Sequence, residues 1–315
     1  MNSETNNSIE NISRIEDLKE VLSALWDGKY LIFAVTAFLS IISVIYSLSL
    51  PNIYQSKAVL SPVTNEIRLS SSLSTIASFS GLNIPSQSEL NKTAKAIKKM
   101  NSLSFFSENV MPNIFLPDLM ALESWDSNSN TIRYDEEIYD QKKQSWIVDT
   151  GKSQKVPTNQ ESFLLFKKRH LSVTEDNKTG FVTITINHQS PYIAKEWVEI
   201  VVNEINSFFR AKDKQEAQAA VDFLNLQVAN TNFAEIKEAI AELIQQKTQQ
   251  LTLIEVSDFY IFEYIDAPAI MEKKSEPRRS IICILGALMG AMLGIAFVLI
   301  NKFFFNNEFL RVIKN

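Results

Sequence analysis

The chain has 315 residues, 45% of them hydrophobic and 21% charged, with a formal net charge of −5. This average fits almost any globular architecture, but it argues against a nucleic-acid binder, and the single cysteine, Cys283, excludes an intrachain disulfide or a cysteine-based metal site. The average also hides two extreme segments, because Tyr30 to Leu50 and Ser280 to Ile300 each run for 21 residues without a charge.

At about 1.5 Å of rise per residue, each segment reaches roughly 30 Å, the thickness of a bilayer's hydrocarbon core. Neither carries the polar face of a soluble core helix, so both predict membrane spans. A cleaved signal peptide is the rival reading for the first. Its 29-residue polar lead and 21-residue apolar run are too long for one, although Ser47 and Ser49 imitate a small-x-small cleavage site. The spans divide the chain into an end segment 1–29, a first span 30–50, a central domain 51–279, a second span 280–300 and a short tail 301–315. Both ends then lie on one side of the membrane and the 229 residues from Pro51 to Arg279 on the other. That central domain is large enough to bury its own core. It holds 25 Lys and Arg against 29 Asp and Glu, a balance that predicts neither nucleic acid nor anionic lipid as its main partner. Near the spans, Arg14, Lys19, Lys29, Lys302, Arg311 and Lys314 on one side are matched in number by Lys57, Arg68, Lys273, Lys274, Arg278 and Arg279 on the other. Charge therefore leaves the orientation open.

In chain order, Ile12, Ile15, Leu18, Leu22, Leu25 and Trp26 recur at spacings of three and four, which predicts an amphipathic helix running into the first span. Trp26 and Tyr30 fall where an aromatic belt would lie. Pro51 ends the span, and Tyr54 to Val59 reads as a strand. Leu69, Leu73, Ile76, Ala77 and Phe79 make the Ser-rich stretch 70–80 a small hydrophobic element rather than a linker. Lys92 to Met100 reads as a helix whose Lys95, Lys98 and Lys99 form a solvated face in preference to a phosphate site. From Ser124 to Ser162 the composition turns polar, with Trp125, Tyr134, Tyr139 and Trp146 spaced through it. Such aromatics can stack on sugar rings, but the favoured reading is a set of anchors holding a long irregular loop.

Leu171 to Thr174, a polar turn ending in Gly180, and Phe181 to Asn187 predict a β-hairpin with Val182, Ile184 and Ile186 on its buried face. Ser190-Pro191 then reads as an N-cap followed by proline at the first helical position. Two long helices follow, roughly 191–229 and 233–256, separated by a bend at Asn230-Thr231-Asn232. Between Arg210 and Gln218 the first becomes almost wholly polar, which predicts an arm projecting into water. Phe259 to Ile265 reads as a strand able to pair with Tyr54 to Val59. The fold class expected is α+β, an α/β base next to the membrane with a long helical arm, flanked by two transmembrane helices.

No catalytic constellation emerges. His170 and His188 lack a His-Glu-x-x-His spacing and read as ordinary surface or hairpin residues. Gly151-Lys152-Ser153 resembles the end of a phosphate loop, but Trp146 stands where its first glycine would be needed. Asp135, Glu136 and Glu137 read as a solvated patch rather than the paired carboxylates of a hydrolase, and a sugar-binding module is the other class considered. No cofactor and no metal are predicted, and the chain reads as a non-enzyme. The most specific motif is Gly286, Gly290 and Gly294, which repeat every four residues beside Ala287 and Ala291. They strip one helix face of side chains and predict close helix packing, within the chain or between chains.

Several stretches resemble the polysaccharide co-polymerase family, specifically the Wzz chain-length regulators of O-antigen. They are Ile15, Leu18, Leu22, Trp26 and Lys29 before the first span, then Pro51, Tyr54 and Lys57 after it. Ile76 to Leu82 and Phe105-Phe106 follow. The most similar stretch runs from Thr179 through His188-Gln189-Ser190-Pro191, Ala194 and Trp197 to Asn206. Asp266-Ala267-Pro268-Ala269 and Pro277-Arg278-Arg279, ahead of the glycine-rich span, look like the family's proline-rich approach to its second helix, although Met271 stands where a further proline would be expected. The resemblance implies a base domain at the bacterial inner membrane, a periplasmic helical arm, ring-like homo-oligomers with coiled-coil character, and action with a Wzy-type polymerase on lipid-linked polysaccharide. It carries over no catalytic residue. The other branch of the superfamily, capsule or exopolysaccharide export with a separate tyrosine kinase, is the alternative.

Overall fold

The computed structural model describes residues 21–23, 25–63, 88–147, 156–257 and 259–304. The amphipathic element expected before the first span lies largely outside the described residues, as do the hydrophobic element at 70–80 and Gly151-Lys152-Ser153. The chain divides into two compact units, one of Met1–Asn52 with Ser275–Asn315 and the other of Ile53–Lys274.

The first unit is a pair of apolar helices, α1 (Lys29–Ser49) and α8 (Arg279–Phe304). Only 6% of the first candidate span and 17% of the second is buried within the protein. A core helix of a soluble protein would be mostly buried, so these two surfaces require an apolar solvent, which a bilayer supplies. Two hydroxyls in the middle of α1 are satisfied on its own backbone. Thr36 donates to the Ile32 carbonyl and Ser40 to the Thr36 carbonyl, both at 2.7 Å. Lys29 Nζ lies 4.7 Å from the Trp26 ring and 5.4 Å from the Tyr30 ring, at the end of the span where amphipathic side chains collect.

The second unit is built on a four-stranded antiparallel sheet ordered β6-β7-β1-β8, made of β1 (Tyr54–Pro62), β6 (Leu171–Glu175), β7 (Val182–His188) and β8 (Phe262–Asp266). In β7, burial alternates strictly, with Val182, Ile184, Ile186 and His188 on the inner face. Helix α6 (Pro191–Asn230) brings Ile193, Trp197, Val201 and Ile205 into the core formed with this sheet, and each side chain so buried is worth roughly 1.5–3 kcal/mol. Other parts of the core come from α2 (Ser88–Met100), a short helical run through Phe105 and Phe106 (α3, Leu103–Phe105, and its π continuation), α4 (Leu116–Met120) and α5 (Asn159–Leu165). The strand that returns after the arm, β8, pairs with β1 as expected, though at Val59–Pro62 rather than along Tyr54–Val59, with Leu60 opposite Tyr264 and Pro62 opposite Phe262. The mixed α+β class is thus realised by a four-stranded antiparallel sheet, long helices and two candidate spans.

The structure departs from the sequence reading at two places here. The polar stretch after Ser124 is not an irregular loop but two short antiparallel hairpins, β2–β3 (Leu122–Asp126 with Thr131–Tyr134) and β4–β5 (Tyr139–Asp140 with Ser145–Trp146). Turn chemistry makes them. Asp126 accepts from the Asn128 amide at 2.9 Å and Asp140 from the Lys142 amide at 3.0 Å, while Asn130 and Gln144 take φ of 49°. The second departure is at Ser190, which stands at the N-cap of α6 ahead of Pro191 as expected but makes no side-chain capping bond.

Candidate functional site

Three places bear on function: the face between the two spans, the root of α6, and the arm.

The three glycines of α8 all face α1 of the same chain. A Cβ on Gly290 would stand 2.9 Å from Thr36 Cα, one on Gly294 would stand 3.0 Å from Ile32 Cα, and one on Gly286 would collide with the Ser43 side chain. Ser43 Oγ donates to the Ile282 carbonyl across the same contact at 3.0 Å. Backbone approach of this kind replaces side-chain packing where lipid offers no hydrophobic gain. The approach residues fall in both units. Pro268 is buried in the sheet unit, where Ser56 Oγ donates to the neighbouring Ala269 carbonyl at 3.0 Å. Pro277, Arg278 and Arg279 belong to the helix pair. There the Arg279 guanidinium donates to Asn52 at 3.2 Å and ties together the two span ends from which the central unit leaves and returns.

At the root of α6, the structure decides between the two readings of the histidines: His188 ends β7 and is buried, and His170 directly precedes β6 and is half-buried, so both belong to the hairpin and neither is an ordinary surface residue. His188 is 1% exposed and His170 packs beside it, with ring centroids 5.6 Å apart. Trp197 stands edge-on to both, at 4.9 Å from His188 and 5.3 Å from His170. The Ser190 amide donates to His188 Nδ1 at 3.0 Å, so the ring's proton sits on Nε2, which donates to the Asp118 carbonyl at 3.2 Å. His170 Nδ1 donates to the Asn187 carbonyl at 2.7 Å. Burial pushes both imidazoles down to about 4, and the neighbouring His170 lowers His188 further. Burial likewise lifts the Asp118 carboxyl to about 6 while the Tyr134 hydroxyl donates to it at 2.5 Å, which joins β3 to α4. The signal that could have found His188 was present. It continues the inward parity of Val182, Ile184 and Ile186.

The aromatics of the hairpins pack on one another instead of facing solvent. Tyr134 and Tyr139 are 5.5 Å apart and Tyr139 and Trp146 5.3 Å apart, while Trp125 meets Tyr54 of β1 at 5.4 Å. A cavity of about 390 Å³ is lined by Arg133, Glu136, Tyr139, Asp140 and Lys142, but the Tyr139 ring is only 4% exposed and offers no flat platform to a sugar. Asp135 closes a turn by accepting from the Glu137 amide at 2.8 Å. Among the described residues, no group of three His, Cys, Asp or Glu could hold a metal ion.

Above its root, α6 is held to the returning chain by polar side chains. Asn206 Oδ1 accepts from the amides of Tyr260, Ile261 and Phe262, and its Nδ2 donates to the Phe262 carbonyl at 3.1 Å. Arg210 donates to the Ser257 carbonyl, Asp213 accepts from the Tyr260 hydroxyl at 2.5 Å, and Lys214 pairs with Glu255 of α7 (Ala234–Val256). The polar stretch after Arg210 is therefore partly a clamp and not only a solvated face. Beyond it, Phe223, Leu226 and Phe233 are 59%, 64% and 68% exposed.

Residues 16–110 match the family model described as Wzz: Chain length determinant protein. That match takes in the first span, β1 and the helices through Val110, and the resemblance first drawn from isolated residues is met there by the family's own pattern. Two solved structures are similar to this chain. The first, a full-length bacterial polysaccharide co-polymerase, is 16% identical, with 91% of this chain and 98% of that one covered at a TM-score of 0.41. The second, a fragment of WzzB, a polysaccharide co-polymerase from Salmonella Typhimurium, is 13% identical, with 71% and 100% covered at a TM-score of 0.29. No curated protein matches.

Proposed function

We propose that this protein is a non-enzymatic regulator of O-antigen chain length, anchored by its two spans in the bacterial inner membrane with the central domain in the periplasm. In this reading it works as a ring-like homo-oligomer beside a Wzy-type polymerase, acting on lipid-linked polysaccharide. The match of residues 16–110 to the Wzz family model carries the reading. The exposed Phe223, Leu226 and Phe233 of the arm support self-association, since large apolar side chains left in water mark surfaces that another copy can cover. The test is the banding of surface polysaccharide from a deletion strain with and without the wild-type gene. A modal length that appears only with the gene is the expected result, and an unchanged length distribution overturns it.

A further inference from the structure

Residues 92–107 and 162–174 contain seven lysines and arginines and no acid, although the central domain as a whole is net acidic. The fold brings these segments together. Phe106 lies 5.9 Å from Phe163 and 5.1 Å from Phe166, and Lys167 Nζ reaches the Asn101 carbonyl at 3.5 Å. On α2, Lys92, Lys95 and Lys99 are spaced by three and four residues, so they form one row about 10 Å long, and Lys167 reaches the chain just past the helix's C-terminal end at the Asn101 carbonyl.

Three of these ammonium groups are held rather than free. Lys92 lies 5.6 Å from the Tyr260 ring, Lys99 4.4 Å from Phe208 and Lys167 5.8 Å from Phe163. Lys99 also donates to Ser104 Oγ at 2.9 Å. Lys92 is neutralised by Asp213 at 3.0 Å, whereas among the described residues no carboxylate pairs with Lys95, Lys99 or Lys167. Charges of one sign placed side by side repel, and rings that pin their stems lower the entropy lost when an anion is bound.

We propose that Lys95, Lys99 and Lys167 form a binding row for a linear, negatively charged glycan, whose carboxylates or phosphates lie along α2. The proposal rests on the polysaccharide reading above and names the chemistry of the chain segment the domain contacts. Lysines suit this role as point charges that follow a flexible polymer without demanding the planar geometry an arginine fork imposes.

The test uses the full-length protein in zwitterionic nanodiscs, with polygalacturonate as the acidic probe and dextran as the neutral one. Wild type binds polygalacturonate, with affinity falling as salt rises, and does not bind dextran. The triple variant Lys95→Gln, Lys99→Gln, Lys167→Gln loses roughly ten-fold or more in affinity at an unchanged melting temperature. A control variant, Lys142→Gln, Lys178→Gln, Lys237→Gln, removes the same charge elsewhere and keeps the affinity. Equal binding by the triple variant, equal loss in the control, or occupation of the row by phosphatidylglycerol vesicles that polygalacturonate does not displace overturns the proposal. Polysaccharide banding read on the same variants separates the two claims. Glycan binding without any effect of the gene on length sinks the regulatory reading alone, and length control without binding sinks the row alone.

Discussion

The two halves of α6 are one continuous helix with opposite surroundings. From Pro191 to Phe209 its inward face is closed off by sheet and core, with Trp197, Val201 and Ile205 at 1% exposure or less. From Arg210 to Asn230 only Ala217 is buried, and the apolar Phe223 and Leu226 stand in water. Helix propensity alone does not distinguish them, and most of a helix's stability in a folded protein comes from what its apolar face packs against. The first half is held by the chain's own core. The second half is held by a few polar ties and by α7, and its remaining apolar surface is left for something else.

The sharpest way to break that contrast is at the boundary. Asn206 accepts from three amides and donates to the Phe262 carbonyl where the chain returns from the arm, and it also donates to the Val202 carbonyl of its own helix. Replacing it with Leu leaves buried donors unpaired and should cost about 4 kcal/mol or more, read as a lowered denaturant midpoint. An undiminished midpoint would mean that the return strand is held by β-pairing alone.

Acidification probes the same root from another side. Both histidines are pushed down to about 4, so the folded state binds fewer protons than the unfolded state between about 4 and the ordinary value of 6.5. Their contribution is complete above 6.5 and lost as pH falls through that window, on the order of 3 kcal/mol for each. Asp118, lifted to about 6, has the opposite sign: its contribution is present at low pH and lost as pH rises through 6. It offsets part of the loss. Denaturation midpoints should therefore fall between pH 7 and pH 4.5, and His170→Gln should flatten that slope.

In the membrane, Gly290→Leu would drive a side chain into the Thr36 backbone and should cost about 1–2 kcal/mol of helix pairing. In a Cys283→Ser background, cysteines at Ser43 and Ile282, which meet across the same contact without replacing a glycine, should crosslink within one chain, and the leucine should weaken that bond. Crosslinks only between chains would assign the glycine face to assembly instead.

Much of this was legible beforehand, for reasons that differ by residue. The spans announce themselves by length and missing charge, and the β6–β7 hairpin by its alternation around a glycine turn. The pairing of β8 with β1 followed from two β-rich runs at either end of the domain. The hairpins after Ser124 were missed because two left-handed positions, Asn130 and Gln144, are not glycines. The histidines were open between surface and hairpin, and strand parity, which buries His188, is the signal that decides it. The clamp at Asn206, Arg210 and Asp213 could not be read at all, since its partners lie 47 to 56 residues away along the chain.

The smallest expected effect on folding comes from the arm, and it decides the most. Phe223→Ser with Leu226→Ser alters exposed side chains, so domain stability should change by no more than about 0.5 kcal/mol, whereas the oligomer mass in detergent should fall. The most direct measurement is the polysaccharide profile of a deletion strain complemented with wild type or with this double variant at equal abundance. Wild type should restore a modal chain length and the variant should broaden or shift it; identical profiles from the two, or no mode from either, would contradict the account.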